Sequence, residues 1–143
     1  MLPTSSQKNI CILYNSLAGA GMADIYAEKI KRELANRKIE YTLFKNKWPA
    51  SLDIFSDVFI VGGDGTLNYF VNQYPGIILP LFIFNAGTGN DFHWMLYNRK
   101  TFDEQMEIAL ASAPGPIDVG TCNGRYFING IGVGFEGEVV KAL

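Results

Sequence analysis

Gly62-Gly63-Asp64-Gly65-Thr66-Leu67-Asn68 follows directly on the apolar run Val58-Phe59-Ile60-Val61 and directly precedes a segment with helical periodicity. Glycines at 62, 63 and 65 let backbone N–H groups come close to a ligand and take up positive φ, and the N-terminus of the following helix adds a partial positive charge. Phosphate is the natural guest of such a turn. Asp64 alone would repel a bare phosphate. That conflict disappears when a divalent cation accompanies the phosphate, because hard carboxylate oxygens bind Mg²⁺ directly or through its retained waters. The residue types therefore fit a metal-nucleotide.

Two further loops carry the same kind of residues. Asn15-Ser16-Leu17-Ala18-Gly19-Ala20-Gly21 follows one apolar run, and Asn85-Ala86-Gly87-Thr88-Gly89-Asn90-Asp91 follows another. In an open α/β sheet, ligands bind beyond the carboxyl ends of the strands, so the three loops are expected to converge. For one loop alone, glycine serving only a strand-to-helix connection is an equal reading. Asp64 and Asp91 read either as helix N-caps or as two carboxylates facing one Mg²⁺ hydration shell. His93 lies in the apolar turn Phe92-His93-Trp94-Met95-Leu96 and reads as packed rather than catalytic. Gly132-Val133-Gly134-Phe135-Glu136-Gly137 has the spacing of a dinucleotide fingerprint but lacks room for the acidic residue expected about 20 positions later. A Walker-type phosphate loop is absent from the sequence.

The elements that must position these loops are legible in the hydrophobic pattern. Continuous apolar runs at Ile10–Tyr14, Tyr41–Phe44, Val58–Val61 and Leu81–Phe84 fit strands buried on both faces. Ala23, Tyr26, Ile30 and Leu34 give a crossover helix, and Leu67, Phe70, Val71 and Tyr74 another that ends at Pro75-Gly76. Thr101-Phe102-Asp103-Glu104 is a capping box that opens a helix ending near Ala113-Pro114. Strand and helix alternate, which predicts a doubly wound, mostly parallel α/β sheet with helices on both faces. Ile117–Val119 and Arg125–Asn129 read as two more strands, with Asn123-Gly124 favouring a tight hairpin.

The bulk properties narrow the class. The 143 residues are 48% hydrophobic with a net charge of −2, enough for one packed core and without the basic stripe that a nucleic acid would need. Cys11 and Cys122 have no CxxC spacing and read as small packed hydrophobes in a reducing compartment. The apolar run from Ile77 to Phe84 falls far short of the roughly 20 residues that cross a bilayer. The N-terminus has no secretory pattern, so the expected location is cytoplasmic.

Gly62–Asn68 with Asn72 four residues later, taken with Gly87-Thr88-Gly89-Asn90-Asp91-Phe92, resembles the catalytic domain of the diacylglycerol kinase and sphingosine kinase family of lipid kinases. Asp118-Val119-Gly120, Tyr126-Phe127-Ile128-Asn129 and Gly134-Phe135 continue the likeness, which runs from Asn9 onward. The resemblance implies Mg²⁺-assisted transfer of the γ-phosphoryl group of ATP to a lipid hydroxyl, as in phospholipid biosynthesis, with peripheral contact at the inner membrane face. It implies nucleotide contacts at Asn15, Ser16, Leu17, Ala18 and Gly19, at Asn46, at Gly62, Gly63, Asp64, Gly65, Thr66, Leu67 and Asn68, and at Gly87 and Thr88. Asp64 and Asp91 would hold Mg²⁺ through water.

This sequence departs from the family pattern where Ser16 stands for a proline, Ala18 for a serine, Asn46 for a threonine and Asn85 for a proline. Family members are similar to a two-domain design whose second, β-rich domain holds the lipid and supplies the acidic general base. The expectation is thus an α/β nucleotide-binding domain over residues 1–129, the start of a missing β-rich domain over 130–143, and no catalytic base in this chain. An edge strand left without partners would invite pairing with a second copy. Two alternatives stay open: nucleotide binding without turnover, and a kinase of a soluble acceptor, since nicotinamide-nucleotide kinases share the glycine-Asp-glycine turn.

Overall fold

The structure is a computed structural model that describes residues 7–130. The expected segment 130–143 and the glycine pattern at 132–137 therefore lie, but for Gly130, outside the described residues. Four strands, β1 (Asn9–Tyr14), β2 (Glu40–Lys45), β3 (Asp57–Gly62) and β4 (Leu81–Asn85), form one parallel sheet in the order β2-β1-β3-β4. The connecting helices are α1 (Met22–Asn36), α2 (Asp64–Gln73), α3 (Asp91–Tyr97) and α4 (Phe102–Ala111). This is the expected α/β architecture, and each expected strand of the sheet is found within one residue of its place.

Burial follows position in the sheet. All six residues of β3 and five of six in β1 are buried, as continuous apolar runs require. The expectation of two-sided burial fails at β2, where exposed residues alternate with half-buried ones because this strand is the sheet edge. Ala23, Ala27, Ile30 and Leu34 of α1 pack with Met106 of α4 over the sheet face that presents Ile10, Ile12, Phe59 and Phe84. Leu67 and Phe70 of α2 cover the opposite face, with Cys11, Leu13, Val58 and Ile60. Each fully buried Ile or Phe contributes about 1.5–3 kcal/mol. Burial pushes the Cys11 thiol up to about 12, so it packs as the expected inert hydrophobe. Cys122, expected to pack likewise, is exposed.

The capping box forms as read: Thr101 Oγ1 accepts from Glu104 N, and the Glu104 carboxylate accepts from Thr101 N at 2.7 Å. Beyond α4 the chain makes an antiparallel hairpin of β5 (Gly120–Cys122) and β6 (Arg125–Phe127). Asn123 and Gly124 have φ of 49° and 76°, the left-handed pair a tight two-residue turn demands. The strand expected at Ile117–Val119 is displaced to 120–122, because that turn fixes the pairing of Cys122 with Arg125 and Gly120 with Phe127. The Phe127 ring lies over Gly120 and would have to move to admit a Cβ there.

Candidate functional site

The loops after β3 and β4 are locked together backbone to backbone. Ala86 N donates to Gly62 O and Asp64 N donates to Gly89 O, each at 3.0 Å. Gly63 and Gly87 lie back to back: a Cβ on Gly87 would overlap the Gly63 main chain, one on Gly63 would overlap the Gly89 carbonyl, and at Gly62 the space is taken by the Thr66 side chain. None of Gly62, Gly63, Gly65, Gly87 or Gly89 has positive φ. The expectation that glycine supplies unusual φ here is therefore corrected: its role at 62, 63 and 87 is close approach. Gly65 differs, being exposed with open space where a Cβ would stand.

Asp64 does not cap its own helix, whose N-cap is Gly63. Its Oδ2 accepts from Asp91 N and its Oδ1 from Phe92 N, both at 2.9 Å. The carboxylate thus closes the N-terminus of α3 from the neighbouring loop, with one charge-assisted bond per oxygen. Asn90 closes loop β4–α3 on itself, its Oδ1 accepting from Gly87 N and its Nδ2 donating to Gly87 O. Thr88 and the Asp91 side chain are left exposed at the rim. The side chain of Leu67, a residue expected among the nucleotide contacts, is 2% exposed and faces the core, as its place in the apolar stripe of α2 requires.

The loop after β1 is built in the opposite way. Gly19, Ala20 and Gly21 all have positive φ, 60°, 52° and 94°, within a short 3₁₀ turn over Ala18–Gly21. Asn15 Oδ1 accepts from Leu17 N at 2.9 Å. Asn46, just past β2, accepts from both Ser16 N at 2.8 Å and Ser16 Oγ at 3.0 Å. Asn46 itself has φ of 62° and donates its N–H to Tyr14 O. Gly19 presses on the Ala86 carbonyl, where any Cβ would overlap it. All three loops and Asn46 therefore meet at one end of the sheet. Leu17, at 84% exposure, points away from its neighbours. Behind this loop, a hydrogen bond from Lys45 holds the Asp24 carboxyl below its ordinary range, and Tyr14 Oη donates to the same carboxylate.

A groove of about 260 Å³ opens beside the locked loops, lined by Asp64, Gly65 and Asn68 on one side and by Phe127, Ile128, Asn129 and Gly130 on the other. Its far wall is held by Asn72: Oδ1 accepts from Tyr126 N and Nδ2 donates to Tyr126 O, both at 3.0 Å, so a side-chain amide mimics a strand neighbour. The sequence marked Asn72 as part of the family likeness and as a second asparagine one turn after Asn68, and neither signal carries this role. A groove of similar size between α1 and α4, about 280 Å³, is lined by Lys29, Arg32, Glu33, Phe102 and Asp103 and lacks glycine loops. His93 is fully buried with both ring nitrogens unpartnered among the described residues, and burial lowers its pKa. It is packed, as expected.

Among the described residues, no three His, Cys, Asp or Glu side chains are grouped to hold a metal ion. Asp64 and Asp91 form a sparser set. Each Asp64 oxygen keeps a free lone pair after its amide bond, which suits acceptance from metal-bound water better than a closed cage.

Residues 9–122 match the family model of the diacylglycerol kinase catalytic domain. The chain belongs to that family. A Staphylococcus haemolyticus protein that carries the name "Putative lipid kinase" is 34% identical over 111 residues, covering 76% of this chain and 31% of its own. One of like name from Staphylococcus epidermidis is 40% identical over 80 residues, 54% of this chain and 26% of its own. The crystal structure of a diacylglycerol kinase from Bacillus anthracis superposes with a TM-score of 0.69 at 27% identity, covering 88% of this chain and 47% of that one. The chain thus spans from about a quarter to about half of the length of these relatives. The fold agrees with that of the Bacillus anthracis protein over the part that the chain spans.

Proposed function

We propose that this diacylglycerol-kinase-family domain binds Mg²⁺-ATP at the three-loop end of its sheet and serves phosphoryl transfer to the hydroxyl of a diacylglycerol-like lipid. The observation that carries this reading is the junction around Asp64, which fixes two glycine loops to each other while leaving the Gly65 face of α2 open to the groove. The N–H groups at the start of α2 would receive phosphate oxygens there. Asp64 and Asp91 would hold Mg²⁺ through water, and the ion would neutralise charge on the transferring group. Ser16 and Asn46 would border the phosphates from the other side. Transfer of this kind needs positioning and charge neutralisation more than covalent help, which suits a site made of backbone and amides.

The lipid pocket and the acidic general base belong, in this proposal, to a β-rich second domain of the parent protein, and contact with a membrane follows from the acceptor. Calorimetry on the 143-residue chain should show ATP binding that needs Mg²⁺ and weakens at least tenfold in Asp64→Ala. A folded chain without affinity for ATP overturns the proposal. Lipid phosphorylation by this chain alone would overturn the placement of the base outside it.

A further inference from the structure

Trp48 and Tyr69 form an edge-to-face pair with ring centroids 5.1 Å apart. Trp48 joins the segment after β2 to α2, and its Nε1 donates to Tyr14 O at 3.4 Å, the same carbonyl that Asn46 N uses. The indole is therefore anchored at the root of the loop after β1. On its inner side it stacks on Tyr74 and leans on Phe70. Tyr69 is 58% exposed, large for a ring held in a fixed relation to another.

Seen along α2, Gly65 lies between Asn68, which lines the groove, and Tyr69, which stands on the Trp48 side, because steps of three and four residues flank a helical position. Tyr69 is one turn, about 6 Å, beyond the open Gly65 face. The start of α2 is thus flanked by amides on one side and an aromatic surface on the other. With its ring stacked on Tyr74 and its N–H given to Tyr14 O, Trp48 is a fixed brace for Tyr69, whose ring is the exposed one of the pair.

We propose that the exposed ring of Tyr69, braced edge to face by Trp48, is a stacking surface for the purine base of the nucleotide whose phosphates meet the start of α2. The inference rests on the nucleotide reading above and goes beyond it by assigning the base-binding surface to Tyr69 and its Trp48 brace. Stacking reads a π face rather than hydrogen-bonding edges, so adenine and guanine nucleotides bind with similar strength.

The test compares ATP with inorganic tripolyphosphate, both with Mg²⁺, by calorimetry on the full chain. Tyr69→Ala, at an exposed position, is expected to lower ATP affinity by about tenfold and leave tripolyphosphate unchanged. Tyr69→Phe should restore ATP binding. In a Trp94→Phe background, where Trp48 is the remaining tryptophan, ATP should quench the fluorescence and tripolyphosphate should not. Unchanged ATP affinity in Tyr69→Ala, or an equal loss for both ligands, overturns the stacking surface while the phosphate site stands. If neither ligand binds the wild-type chain, the nucleotide reading falls and the stacking surface with it.

Discussion

The loop after β1 and the paired loops after β3 and β4 use the same residue types for opposite ends. In the first, Gly19, Ala20 and Gly21 are all at positive φ, and Gly19 alone among them also presses on a neighbouring main chain, at Ala86. In the second, Gly63 and Gly87 keep ordinary backbone angles and are spent on contact, main chain against main chain. One loop takes its shape from left-handed dihedrals, the Ser16–Asn46 bonds and one contact of Gly19 on Ala86; the other two are shaped by each other and closed by Asp64. Glycine content alone does not distinguish a loop that can adjust from one that cannot.

Adding one methyl group separates the two designs most sharply. Gly63→Ala drives a Cβ into the Gly89 carbonyl, with backbone on both sides and nothing flexible to yield. Overpacking of this kind should cost about 3 kcal/mol, measured as a lowered urea midpoint with unchanged m. A loss below about 0.5 kcal/mol would mean the locked pair can slide. His93 tests the same region through pH. Its pKa is lowered by burial, so the folded state binds fewer protons than the unfolded state. The stability this gives is present above the ordinary value of 6.5 and is lost as pH falls towards the lowered folded pKa. His93→Leu should remove that dependence between pH 7 and 5 and add roughly 1 kcal/mol by deleting two unpartnered nitrogens.

Ala20→Gly probes the conformational loop, where a non-glycine residue sits at φ of 52°. Relief of that strain should stabilise by about 1 kcal/mol in thermal melts, and a destabilisation would show that the alanine methyl carries packing instead. The smallest expected change in stability is Gly65→Ala, a gain of about 0.5–1 kcal/mol because helical alanine outranks glycine and no atom is in the way. The same variant should weaken ATP binding, since the methyl group occupies the open face. Stability and binding moving in opposite directions would identify Gly65 as a glycine kept for a ligand.

Much of this was legible in the sequence for physical reasons. Strands β1 and β3 announce themselves because central strands are buried on both faces, and Asn123-Gly124 announces a turn because few residues tolerate its φ values. The edge position of β2 was not legible, since strand order depends on crossovers far along the chain. Ile117 and Val119 suggested a strand by type, yet both are exposed beside the hairpin that the turn actually registers. At the site, convergence of the three loops was legible from strand ends, whereas the Asp64 bonds to α3, the Asn72 clasp on Tyr126 and the Trp48–Tyr69 pair join residues 21 to 54 positions apart. Residue type marks them as polar or aromatic, and only tertiary packing says what they touch.

The strand order carries a last consequence. Helix α1 leaves β1 for one face of the sheet and α2 leaves β3 for the other, while β1 and β3 are neighbours. The chain reverses its winding between these two strands, and in open α/β sheets such a reversal is where ligands are held. Ser16 and Ala18, at the end of β1, change the side chains at that reversal and leave the reversal itself in place, because strand order and not residue type sets it.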